Sequence, residues 1–198
     1  MSDQTTKRLP IWMKLALTAF VAVLVPVYLH VYGASNFLWF CDVALALSLV
    51  AVWTEHSLPA SMASVGILFM QTLWCADLMA AFFGVSFLGT SAYMFDDKIP
   101  MFTRLPSLYH VWLPFLLLYM LTKLGYDRRA FWYMTTLSSA ILLICYFLIS
   151  PSLNVNYVFG PPDRKWMNPL AWLGTLMVGL PLICYLPTHY ALKRWLKG

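Results

Sequence analysis

Six stretches of this chain stay apolar for about the 20 residues that a helix needs to cross a bilayer. They run from Pro10 to Tyr32, Asn36 to Thr54, Pro59 to Leu88, Ser107 to Leu124, Ala130 to Ser150 and Asn168 to Leu192. That pattern leaves few folds open. In hydrocarbon every backbone N–H and C=O must find its partner within the protein, which helices manage and open sheet edges do not. The expected fold is therefore all-α, a polytopic membrane protein in which residues 1–198 form a single bundle of six transmembrane helices. Composition agrees, with 61% of residues hydrophobic and 11% charged. An ordinary soluble domain has about 25% charged residues. Mean hydropathy is +0.71. A water-soluble enzyme and a disordered tail are both excluded. The first stretch is too long for a cleavable leader, and no small-residue cleavage site follows it.

Lys and Arg set the expected orientation. With the N-terminus inside, the inner side holds Lys7, Arg8, Lys14, Lys123, Arg128, Arg129, Lys193, Arg194 and Lys197. The outer side holds Lys98, Arg104, Arg164 and Lys165. Both termini are thus expected in the cytoplasm. Net charge is +5. The basic residues flank apolar runs and form no stripe interleaved with exposed aromatics, so a nucleic-acid partner is not expected. The expected surroundings are the lipid bilayer, with a second copy or another membrane protein as possible company. Cys41, Cys75, Cys145 and Cys184 all lie inside apolar segments, outside any Cys-x-x-Cys, and read as packing residues.

The connections are unequal. Gly33-Ala34-Ser35, Glu55-His56 and Gly125-Tyr126-Asp127 are short, whereas Gly89 to Pro106 and Pro151 to Met167 are long and outward. Long loops in compact folds more often cover or bind than merely connect. Function is therefore expected at the outer face.

The intramembrane polar residues are the chemical signal. A carboxylate at membrane depth costs roughly 2.5–3.5 kcal/mol on insertion scales and is functional by default. Asp42 and Asp77 both bear that cost, at a similar expected depth on adjacent antiparallel helices. Each ends a Leu-Trp-x-x-Asp run, which puts Trp39 and Trp74 on the same helix face as the acid, where an indole N–H can donate to a carboxylate. His110 lies about one turn into the fourth helix. Pro114 follows it by four residues and deprives the His110 carbonyl of its helical donor. The expected site is a pocket in the outer leaflet lined by Asp42, Asp77 and His110. Asn36 and Ser107 stand at its mouth, and Tyr93 and Asn156 reach in from the loops. Its expected ligand is a lipid or small amphipathic molecule. As an enzyme it would use either acid as general base and His110 as proton shuttle, in hydrolysis or group transfer. The alternatives are a proton-coupled or small-molecule transporter, a non-catalytic assembly or scaffold subunit and, as a minor reading, a bis-histidine haem protein using His30 with His110 and His56 with His189. No His-x-x-x-His, His-Glu-x-x-His or phosphate loop appears, so no metal is assigned and the cofactor stays open. Ser61, Ser64, Gly66, Gly174 and Gly179 read as small-residue packing faces.

The runs Tyr32 to Asp42 (YGASNFLWFCD), Tyr93 to Asp96 (YMFD) and Leu124 to Ala130 (LGYDRRA) resemble a family of small bacterial multi-pass proteins described as hypothetical membrane-associated proteins. The resemblance implies a bacterial inner-membrane address and no particular chemistry.

Overall fold

The computed structural model describes residues 9–85, 87–161 and 167–196. It is all-helical, with no strand among the described residues. Eight α-helices follow one another: α1 (Ile11–Tyr32), α2 (Phe40–Thr54), α3 (Ser57–Phe82), α4 (Met101–Arg104), α5 (Tyr109–Leu124), α6 (Ala130–Leu148), α7 (Pro169–Gly179) and α8 (Leu186–Trp195). A 3₁₀ step at Leu105–Leu108 joins α4 to α5, and a π-helical step at Leu180–Tyr185 joins α7 to α8. Five helical runs are long and apolar enough to cross a membrane: Ile11–Tyr32, Ser57–Phe82, Met101–Leu124, Ala130–Leu148 and Pro169–Trp195. Helix α2 is equally apolar but has only 15 residues.

Helix α3 is the central post. It packs on α2, α5 and α6, and on the π-helical step. Small side chains allow this. Ala60, Ser61, Ala63 and Ser64 are all fully buried, and Gly66 lies so close to α6 that an added Cβ would stand 2.7 Å from the Met134 methyl. Close backbone approach is what holds helices together where lipid is as apolar as the side chains. The outward faces carry exposed Trp12, Phe69, Phe82, Phe115 and Phe147, which suit acyl chains.

Helix ends depart from the apolar runs for local reasons. The run from Asn36 is not one helix. Ala34–Leu38 is 3₁₀, Trp39 is extended, and α2 starts at Phe40. The run from Pro59 starts earlier, at Ser57, because Nδ1 of His56 accepts from the Leu58 amide and caps α3. It also stops short of Leu88. Gly84 takes φ +72°, and the Gly84 and Val85 amides bond back to the carbonyls of Ala81 and Ala80, a Schellman closure. Hydropathy continues through Phe87 and Leu88, but these residues belong to the loop between α3 and α4. Arg164 and Lys165 lie outside the described residues.

Candidate functional site

The end of the bundle where α1 and α3 finish and α2 and α5 begin carries a polar cluster. Asp42 is the third residue of α2, 7% exposed. In a first helical turn a carboxylate gains from the helix dipole. Its Oδ2 accepts from Asn36 Nδ2 at 3.1 Å, and its Oδ1 accepts from the Tyr109 hydroxyl at 3.0 Å. Both donors are neutral. The ion pairs among the described residues join Lys14 to Glu55 and Arg129 to Asp127, so Asp42 has no cationic partner there.

Asp77 is a different kind of acid. Its Oδ1 accepts from the amides of Leu88 (2.6 Å) and Gly89 (3.0 Å). Its Oδ2 accepts from the Thr90 hydroxyl (2.9 Å) and from the amide and hydroxyl of Ser91 (2.7 and 2.8 Å). A carboxylate offers about four lone-pair sites. Five donors from one loop fill them, and nothing is left for a substrate. Asp77 fastens the loop between α3 and α4 to α3. No hydrogen bond joins it to Asp42, so the two acids, expected as one pair, are closed by separate sets of donors.

His110 is preset by its surroundings. Its Nδ1 lies 2.6 Å from the carbonyl oxygen of Ser107, which can only accept. Nδ1 therefore carries the proton, and Nε2 is left as the basic nitrogen. Nε2 makes no hydrogen bond among the described residues. The ring stacks on Trp74, centroids 4.7 Å apart, and lies 4.3 Å from the ring of Tyr109. The His110 carbonyl released by Pro114 is met by the Cys75 thiol at 3.7 Å.

The remaining expected residues divide between the cluster and its scaffolding. Ser107 belongs to the cluster: its hydroxyl shares a hydrogen bond with Tyr28 at 2.9 Å, and Tyr93 faces it from the loop between α3 and α4. Burial pushes the Tyr93 hydroxyl well above its usual value, so it remains a neutral donor. Asn156 does not reach Asp42. It accepts from the Phe40 amide at 3.1 Å and donates to the Leu38 carbonyl at 2.8 Å, clamping the loop between α6 and α7 onto the start of α2. Trp39 packs edge-on against Tyr157, and Trp74 is taken up by His110. Neither indole donates to a carboxylate, contrary to expectation. Of the paired histidines, His56 caps α3 and His189 meets the Tyr126 hydroxyl at 2.6 Å.

Sequence reasoning missed Tyr109, Tyr28 and Gln71. Tyr109 adjoins His110 but looks like one more interfacial aromatic. Gln71 had a visible signal, an amide inside an apolar run and three residues before Trp74. It is 2% exposed, and both its amide atoms lack a partner among the described residues.

Two cavities lie away from this cluster. One of about 410 Å³ sits between Leu9, Lys14, Trp53 and Glu55, and one of about 420 Å³ between Leu68, Leu118, Pro187 and Trp195. No group of three His, Cys, Asp or Glu arranged to hold a metal occurs among the described residues. Comparison with protein-family models, with curated proteins and with solved structures finds no match.

Proposed function

We propose that this is an integral protein of the bacterial inner membrane, six helices spanning with both termini inside, whose outer-leaflet cluster binds a lipid-like or small amphipathic ligand. Asp42 is the anchoring group and His110 the proton acceptor. The observation that carries the reading is Asp42 itself, a carboxylate buried in the bundle with two neutral donors and no cation. A packing role is already filled by Asp77, which is saturated. An acid left with lone-pair capacity, linked through Tyr109 to a histidine with a free Nε2, is arranged to meet something that arrives. As an enzyme site, Nε2 takes a proton from a hydroxyl or water, and Asp42 with Tyr109 holds the polar group being attacked or released. The loop fastened by Asp77 and carrying Tyr93 is the cover.

The 15 residues of α2 rise about 22 Å at 1.5 Å each. They serve as the sixth span together with the 3₁₀ turn before them. The test of the function is native mass spectrometry of protein released from mild detergent, native against Asp42→Asn. An adduct retained by the native chain and missing from the variant supports a ligand site. Bare masses from both would move the weight to a scaffold subunit.

A second reading, a proton-coupled carrier, is favoured by the π-helical step at Leu180–Tyr185, which contains Pro181 and is followed by Pro187 at the start of α8. Such steps weaken the hydrogen-bond ladder and recur at functional bends. Cysteine labelling from each side separates the two readings, because a one-sided site stays closed to reagents added from the cytoplasm.

A further inference from the structure

We propose that the ligand of this outer site is an organic ammonium, a protonated primary amine on an apolar body. The inference rests on Asp42 being the ligand anchor argued above, and it names the chemical class of what Asp42 holds. The first support is charge. Asp42 is buried, its two hydrogen-bond donors are the neutral side chains of Asn36 and Tyr109, and the ion pairs of the described residues are elsewhere. A lone carboxylate in a medium of low dielectric is costly, and a bound cation is the partner that offsets the cost.

The second support is the lining. Tyr109 touches the carboxylate, the hydroxyls of Tyr28 and Tyr93 meet at Ser107 beside it, and the stacked rings of Trp74 and His110 form the adjoining wall. Faces of Tyr and Trp attract cations electrostatically, and quaternary and primary ammonium groups are the ligands best suited to them. The third is Gln71. It lies one turn inward of Trp74 on the same face of α3, 2% exposed, with Oε1 and Nε2 unpaired. An unpaired amide oxygen at that depth calls for a donor, and an ammonium brings three N–H groups.

Other ligand classes fit worse. A neutral alcohol leaves the charge of Asp42 unbalanced, and an anionic headgroup is repelled by it. A divalent metal needs several hard oxygen ligands. Asp42 supplies one carboxylate, and no metal-binding group of three occurs among the described residues.

The test uses the full chain in phosphatidylcholine nanodiscs, titrated with octylamine and separately with octanol. Tryptophan fluorescence and the thermal midpoint are read after subtraction of empty discs. Octylamine is expected to bind saturably and at least about tenfold more tightly than octanol, the scale of one desolvated cation–aromatic contact. Asp42→Asn is expected to abolish the preference. Gln71→Leu removes an unpaired buried amide, so the fold should be equally or more stable while octylamine binding weakens severalfold. That pattern is one a packing role does not produce, and it keeps the test decisive if Asp42→Asn fails to fold. Equal binding of both probes by the native chain, lost in Asp42→Asn, overturns the ammonium while leaving the ligand site. An octylamine response unchanged in both variants, or no saturable response at all, overturns the proposal. In that case a native adduct lost in Asp42→Asn would show that the site itself stands.

Discussion

The hydroxyl of Tyr109 donates to Oδ1 of Asp42 over 3.0 Å and so ties the start of α5 to the start of α2. Removing it strands a buried carboxylate with one donor. Tyr109→Phe is expected to lower unfolding stability by about 1.5–3 kcal/mol, the range for hydrogen bonds to charged groups. Denaturant titration in mild detergent checks this. A loss near zero would mean that water or lipid replaces the phenol.

Asp77→Asn keeps the shape of the side chain but replaces one acceptor oxygen by a donor. The Thr90 and Ser91 donors, or the Leu88 and Gly89 amides, then face an N–H₂ group. With several charge-assisted bonds lost, the expected cost is about 3 kcal/mol or more. Hydrogen exchange should accelerate at Leu88, Gly89 and Ser91 while the amides of α5 keep their protection. Because the acid serves the loop, ligand retention should fall less in Asp77→Asn than in Asp42→Asn.

Asn156→Ala should cost about 2 kcal/mol, since it removes a helix cap and an interloop bond together. The same residue sits at φ +54°, in a loop that also holds Asn154 and Tyr157 at positive φ. Asn156→Gly retains that backbone and loses only the side-chain bonds. The difference between the two variants in thermal unfolding therefore separates the bonds from the strain.

In the turn before α6, Arg129 binds Asp127 through Nε and Nη2, and this hydrogen-bonded guanidinium holds the carboxyl below its usual range. A depressed folded value means that the contribution is present above the unfolded value, about 3.9. It is lost as pH falls through the lower folded one. Asp127→Asn should therefore flatten the acid-side fall of the thermal midpoint and change little at neutral pH. Arg129 is exposed, so the effect should also shrink in high salt.

Gly66→Ala places a Cβ 2.7 Å from the Met134 methyl. The far end of a methionine can swing away, so the expected loss is about 1 kcal/mol rather than failure to fold. Pairing it with Met134→Ala should recover part of that loss in the same unfolding assay, if the clash is local.

The all-helical character was legible because apolar length is a bulk property, read from averages over twenty residues. Helix ends were not, because they depend on single atoms. His56 extends α3 inward by capping it, and Gly84 cuts it off before an apolar run has ended. The two acids show the same limit. Burial cost marked Asp42 and Asp77 equally, but cost does not tell whether a carboxylate meets a loop or a ligand. That depends on which backbone amides the chain folds back, and no spacing in Leu-Trp-x-x-Asp encodes the turn at Leu88 to Ser91. Tyr109 was hidden for another reason. In a chain with 11 tyrosines, one more at a helix start carries no weight until its hydroxyl has an address.

The brevity of α2 bears on the membrane itself. Its rise of about 22 Å falls short of a hydrocarbon layer of about 30 Å. Lipid beside a short span adapts by thinning. On the proposed reading, any shortfall that the 3₁₀ turn at Ala34–Leu38 leaves brings the headgroup layer toward the start of α2, where Asp42 stands. A molecule with a polar head and an apolar tail would then travel most of the way to this acid without leaving the depth at which it is already at rest.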